Sequence, residues 1–398
     1  MGRQRGTAGA QIIPMRIEDV FEWAKRYLTL VMPPSSKFGS GYRQSATENF
    51  CLAFSPPTGK LLVLPRNFDR YKQTLFQCKS IVLAENQPLA VSLSRHSAAD
   101  DWQLMDFHVD WPAESCWGLS ELPVKTNHIC MISASHKFLV VYHDQEGEPY
   151  AVLKVPETAA VSRGIQAEAT TLELLSTRAP GIAPRLLALG SASYPDSGTP
   201  FRYALQQFIV GNQPRKLTRR DAGQYLNRLI TDKPPVSMRQ IAAGLESQIV
   251  DLPLKGENKD RLRKILNTVN CATALPLSLY HGDFKLENLV IGADDRLVAI
   301  DWEFSNRLMP ACFDLIRLLL SSPYNSPAVR DFESMYRSRM ESLQNLANSV
   351  YPQNTPPLEQ LLALQFCQHF VDRVAGFGGV VNPNMKRLED LLQTSWIV

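Results

Sequence analysis

The segment Tyr280-His-Gly-Asp-Phe-Lys-Leu-Glu-Asn-Leu-Val-Ile291, followed by Ala293-Asp-Asp-Arg296 and Leu297-Val-Ala-Ile-Asp-Trp-Glu303, reads as a tight loop, a short apolar strand, a turn and a second apolar strand ending in acids. Asp294 and Asp295 are read as turn residues. A hairpin of this kind presents Asp283, Asn288 and Asp301 to one point. Phosphoryl transfer from ATP asks for such a set: one carboxylate to receive a hydroxyl proton, and oxygen ligands for Mg2+ to screen the phosphates. His281 is read as a brace for the loop, and Lys285 is open between a phosphate contact and solvent.

Upstream, Ile129–Ser133 and Phe138–His143 read as strands joined by a turn, and Gly147 closes a further hairpin into Tyr150–Val155. A helix is expected from about Ser162, as N-cap, to Arg178, ended by Pro180-Gly181, with Ile165, Ala169, Leu172 and Leu175 on one face. Two more strands are expected at Arg185–Leu189 and Arg202–Ile209, closing at Gly211, and from Thr218 onward the pattern is mainly helical. Ahead of all this, a helix is expected over 15–31, stopped by Pro33-Pro34. A hairpin is expected over 47–64 around Ser55-Pro-Pro-Thr-Gly59, and strand-like runs lie at 80–84 and 89–93. The Gly39-Ser-Gly41 loop is read as a plain turn.

His281-Gly-Asp283, four intervening residues, Asn288, Ile300-Asp-Trp-Glu303 and then Asp314-Leu315 together resemble the aminoglycoside phosphotransferase and choline kinase superfamily. The resemblance covers roughly residues 127–380. It implies an α+β, bilobal protein-kinase-like fold: a small β-rich lobe with one helix over 126–211, and a large, mainly helical lobe over 212–398. Residues 1–125 are then an N-terminal α/β extension to which no role is assigned; it could gate the site, form a homodimer or bind a partner. The resemblance also implies an ATP-dependent kinase with Asp283 as the base, Asn288 and Asp301 as Mg2+ ligands, and Asp314 as a structural acid. Lys154 is similar to the strand lysine that meets the α and β phosphates, and Glu168 to its carboxylate partner, with Glu173 as a rival. Gln207 and Ile209 fall on the lobe connection whose backbone meets adenine. Glu303 is open between metal, substrate and turn.

A net charge of +3 with interspersed signs gives no basic stripe for nucleic acid. No apolar run reaches the ~20 residues of a membrane span, and no signal-peptide core follows the basic start, so the cytoplasm is the expected location. The seven cysteines are scattered without a Cys-x-x-Cys pair, which points to reduced thiols rather than zinc or disulfides. The chain lacks Gly-x-x-x-x-Gly-Lys-Ser/Thr, which removes the P-loop class. Ser133-Ala-Ser-His-Lys137 lacks the glycines of a protein-kinase nucleotide loop.

The expected partner is a small molecule bearing a hydroxyl group: a sugar, amino alcohol or aminoglycoside-like acceptor. Residues 305–398 hold eight acids and eight Lys or Arg, a balance without the polyacidic cleft that a polycation would favour. Ile300-Asp-Trp-Glu-Phe-Ser305 leans toward the choline and ethanolamine kinase pattern. A catalytically silent scaffold is the alternative, which the intact set Lys154, Glu168, Asp283, Asn288 and Asp301 argues against. A protein kinase is the other, which Gly282 in place of arginine argues against.

Overall fold

Apolar side chains at helical spacing form the first element, α1 (Ile17–Val31), with Val20, Ala24 and Leu28 fully buried. The computed structural model describes residues 17–31, 36–41, 43, 48–55, 60–65, 103–110, 128–134, 137–144, 146, 148–194, 197–214, 216–217, 219–305, 307–324, 329–351 and 353–376. The chain divides into two units, residues 1–150 with 194–198, and residues 151–193 with 199–398. In the first unit the described strands after α1 are β1 (Lys37–Ser40), β2 (Glu48–Ser55), β3 (Lys60–Pro65), β4 (Gln103–Asp110), β5 (His128–Ala134) and β6 (Lys137–His143). They lie antiparallel in the order β1-β4-β2-β3-β5-β6.

The hairpin expected over 47–64 is β2 and β3, with Ala53 opposite Leu62. The strands expected at 129–133 and 138–143 are β5 and β6. β5 also pairs with β3, placing Ile132 opposite Leu62, a long-range pairing with no local signature. Aromatic rings seat α1 on this sheet: Phe21 lies 5.0 Å from Phe107, which stacks on Phe50 at 5.2 Å, and Trp23 lies 5.0 Å from Phe138. Such pairs each contribute about 0.5–1.5 kcal/mol beyond their buried area. The runs at 80–84 and 89–93, and the turn residues Ser135 and His136, lie outside the described residues.

β7 (Pro149–Pro156) leads into the second unit, where α2 (Ala159–Arg178), β8 (Leu186–Ser193) and β9 (Pro200–Gln207) follow, the strands lying antiparallel in the order β7-β9-β8. Ile165, Ala169, Leu172 and Leu175 are the buried face of α2, as their spacing requires. The helix starts earlier than expected. Its N-cap is Thr158, in extended backbone, whose hydroxyl accepts from the Val161 N–H at 3.3 Å. Ser162 lies inside the helix and accepts instead from the Arg202 N–H at 2.8 Å. Two cap-competent residues stand one turn apart here, and tertiary contact gives the second other work.

The rest of the unit runs β10 (Gly211–Asn212), α3 (Arg219–Asn227), β11 (Val236–Ser237), α4 (Met238–Asp251), α5 (Gly256–Asn267), β12 (Ala274–Leu275) and β13 (Leu277–Leu279), then a 3-10 turn at Leu286–Asn288. After it come β14 (Leu289–Gly292), β15 (Leu297–Ala299), β16 (Leu308–Pro310), α6 (Phe313–Tyr324), α7 (Val329–Val350) and α8 (Leu358–Gly376). A strand lobe with one helix, followed by a mainly helical lobe, is the α+β, bilobal protein-kinase-like fold. Leu245, Leu262, Phe313, Leu361, Phe366 and Phe370 share the core that joins α4, α5, α6 and α8. α8 is buried from Leu361 through Asp372, the mark of a central helix. Among the described residues no helix is long and apolar enough to cross a membrane, and Cys51, Cys130, Cys271, Cys312 and Cys367 are free thiols.

Candidate active site

β13 and β16 pair antiparallel, Leu279 opposite Leu308, and deliver the chain into the loop 281–288. Gly282 sits at φ +81°, and a Cβ there would fall 2.5 Å from the Phe304 Cβ, so any side chain, the arginine of protein kinases included, is excluded. The Asp314 carboxylate, in the first turn of α6, accepts from the N–H groups of His281 at 2.9 Å and Gly282 at 3.1 Å. The ring of His281 meets the Ile300 carbonyl at 3.0 Å, and burial lowers its pKa, so it serves as a neutral brace.

Burial pushes the Asp314 carboxyl up to about 7, against the two backbone bonds that lower it. A carboxyl raised in the folded state contributes stability that is full below its unfolded pKa, near 4, and is lost as pH rises to about 7. Urea unfolding of the wild type and Asp314→Asn should therefore show the wild type losing ground to the variant between pH 4 and 7.5. A difference independent of pH would contradict the assignment.

Asp283 is 5% exposed and accepts from the Asn288 side-chain nitrogen at 3.1 Å, which also donates to the Asp283 carbonyl at 2.9 Å. Its carboxylate pairs with Lys285 at 2.7 Å, with Arg317 at 3.2 Å and closely with Arg373. Burial alone would raise this carboxyl, but Arg373, Arg317 and Lys285 outweigh it and hold the group well below the usual carboxylate range.

Across the same unit Lys154 Nζ donates to both carboxylate oxygens of Glu168 at 2.7 Å and to Asp301 at 3.0 Å. Glu168 is 1% exposed and also accepts from the Trp302 N–H at 3.0 Å, so one carboxylate ties α2, β7 and the chain after β15 together. Its rival Glu173 faces solvent. Asp301 adopts φ +69°, a conformation rare for a residue with a side chain and common at functional sites. The two clusters are joined where the Ile300 N–H donates to the Asn288 carbonyl at 2.9 Å.

A model of the phosphotransferase enzyme family (APH) matches residues 129–344. The chain belongs to the phosphotransferase enzyme family. No curated protein matches the sequence. Among solved structures, the chain is similar to APH(2")-IIia in its GDP and kanamycin complex, at 12% identity over 68% of this chain and 93% of that one, with a TM-score of 0.42. It is also similar to macrolide 2'-phosphotransferase type I, at 13% identity over 68% and 92%, with a TM-score of 0.43. An ethanolamine kinase of Plasmodium vivax aligns at 12% identity over 69% and 84%, with a TM-score of 0.41.

In this phosphotransferase the residues Lys154, Glu168, Asp283, Lys285, Asn288 and Asp301 form two adjoining clusters within one unit, while Gln207 ends β9 and Ile209 lies, partly exposed, just beyond it. Gln206 begins the same connection. Lys154 pairs with Ala204 and Val152 with Gln206, so Gln206 shares the Lys154 face of the strands. It is 3% exposed, and its amide nitrogen has no hydrogen-bond partner among the described residues. A buried orphan amide on this face suits a ligand with hydrogen-bonding groups, as a nucleotide base is.

The donor set also fits Mg2+. Asn288 directs its nitrogen at Asp283, which leaves the amide oxygen for a cation, and Asp301 adds a carboxylate; both are hard oxygen ligands. Among the described residues no three His, Cys, Asp or Glu side chains gather as a metal site, so such an ion would take further oxygens from phosphate and water. Sequence reasoning missed Arg317 and Arg373 altogether. The available signal was polar residues inside an apolar helix: Arg317 one turn after Asp314, and Gln365, Gln368, His369, Asp372 and Arg373 in α8.

Proposed function

We propose that this phosphotransferase moves the γ-phosphoryl group of ATP to a hydroxyl of a small molecule, with Asp283 facing that hydroxyl. The observation that supports this best is the pairing of two clusters in one unit: Asp283 with Asn288, and Lys154 with Glu168 and Asp301. In this reading Lys154, held by Glu168, meets the nucleotide phosphates, and the Gln207 and Ile209 backbone meets the base. Asn288 and Asp301 hold Mg2+, which when bound screens the phosphate charge. Residues 126–211 then act as the nucleotide lobe and 212–398 as the catalytic and acceptor lobe.

The low pKa of Asp283 bears on its role. A carboxylate this acidic is a weak base, so it works mainly by orienting the hydroxyl and takes the proton late, which suits a loose transition state that needs positioning more than proton abstraction. Lys285 is bound to Asp283 at 2.7 Å, and in this reading it passes from that carboxylate to the transferred phosphoryl.

Asp301→Ala is expected to abolish the Mg2+-dependent part of nucleotide binding. Calorimetry with a non-hydrolysable ATP analogue, with and without Mg2+, measures it. Equal Mg2+ dependence in variant and wild type would remove Asp301 from the metal site.

A further inference from the structure

The side-chain contacts on Asp283 divide by oxygen. Oδ2 accepts from the Asn288 side-chain nitrogen at 3.1 Å and pairs with Lys285 at 2.7 Å. Oδ1 accepts from Arg317 at 3.2 Å and from Arg373. The Oδ2 side leads to the Lys154 cluster: the Asn288 carbonyl accepts from the Ile300 N–H at 2.9 Å, one residue before Asp301, which pairs with Lys154. The Oδ1 side is the helical core, entered by Arg317 from α6 and by Arg373 from α8. A hydroxyl in line with the γ-phosphoryl would meet the oxygen on the nucleotide side, which is Oδ2.

Arg317 has contacts besides Asp283, and the field of Asp314 reaches it. Arg373 is placed more directly for holding. It lies 90 residues along the chain from Asp283, in a helix buried from Leu361 through Asp372. Its guanidinium sits over the Phe304 ring at 5.1 Å, a cation–π contact that fixes the plane of the fork. Phe304 is buried, and its Cβ lies 2.5 Å from where a Gly282 Cβ would stand. The same residue therefore packs on the backbone just before Asp283 and on the arginine that holds its carboxylate. A guanidinium keeps its charge throughout the working range, so the carboxylate it holds stays ionised and oriented; a lysine would bring the charge on a flexible stem without the fork.

We infer that Arg373 is a positioning residue for the proposed reaction: by holding Asp283 Oδ1 it presents Oδ2 to the acceptor hydroxyl. The inference rests on the kinase reading for the hydroxyl, and on the divided carboxylate for the arginine.

The test is a double-mutant cycle read in two ways. Single-turnover release of label from γ-labelled ATP to water, with Mg2+ present, is measured for the wild type, Arg373→Gln, Asp283→Asn and the double variant. Arg373→Gln should lower the rate on the order of 10- to 100-fold with affinity for a non-hydrolysable ATP analogue unchanged, because orientation is lost and binding is not. The same substitution should add nothing in Asp283→Asn, since its effect passes through that carboxylate. Arg373→Lys should recover part of the loss. Equal losses in both backgrounds, or no loss in the wild type, overturn the inference. Urea unfolding reads the cycle without a substrate. Arg373→Gln should lower the midpoint of the wild type more than that of Asp283→Asn, where a smaller loss remains because Asp372 also attracts Arg373. If the wild type releases no label, this second reading decides, and equal midpoint shifts overturn the inference. A wild type that binds no ATP analogue, with the midpoint shifts still unequal, would count against the kinase reading alone.

Discussion

Asp283→Asn is expected to lower kcat by on the order of 10²- to 10⁴-fold while the protein stays folded. The replacement keeps the shape and one acceptor oxygen, so the Asn288 bond at 3.1 Å has a substitute, but it removes the charge that three cations share. Breaking a buried ion pair typically costs about 3–5 kcal/mol, a large part of the ~5–15 kcal/mol that holds a protein folded, so a fall in urea midpoint should accompany the fall in turnover. The two effects separate by measurement. Binding of an ATP analogue should persist, since Lys154, Glu168 and Asp301 are untouched, while single-turnover transfer should not. Near-normal transfer would remove Asp283 from the chemistry.

Glu168→Gln should do the opposite: weaken the nucleotide first. Glu168 accepts two bonds of 2.7 Å from Lys154 and one of 3.0 Å from the Trp302 N–H at 1% exposure. Without its charge Lys154 still has the Asp301 carboxylate, which is thereby drawn from the role proposed for it with Mg2+. The expected cost is about 3 kcal/mol in stability, the lower end for a broken buried pair because one anion remains. Nucleotide affinity should fall on the order of 10- to 100-fold, as 1.4–2.8 kcal/mol of lost phosphate contact would give. Glu173→Gln, five residues on and facing solvent, is the control and should stay within about 0.5 kcal/mol. Equal effects from both substitutions would unseat Glu168 as the partner of Lys154.

Much of this architecture was legible because the cues are local. Asn288 follows Asp283 through one short turn, and the β14–β15 hairpin is written in two apolar runs around Asp294 and Asp295, where Asp295 takes φ +58°. α1 and the buried face of α2 follow from 3.6-residue spacing. The N-cap of α2 was misplaced by a turn, because Thr158 and Ser162 are both competent caps and only the approach of Arg202 distinguishes them.

By itself, then, the sequence determined the loop, the hairpin, the helices α1 and α2, the strands β2, β3 and β5 to β9, though not β1 or β4, and the residue types that phosphoryl transfer requires. The reason is physical: those features depend on backbone preferences and apolar periodicity over a few residues. Only the tertiary structure decided that Glu168 rather than Glu173 holds Lys154, that β5 pairs with β3, and that Gln206 lies buried without a partner. It also brought Arg373 onto Asp283 across 90 residues of chain. Electrostatic partners meet through space, in a core where water cannot screen them, and no spacing along the chain records which charges the packing of α8 brings together.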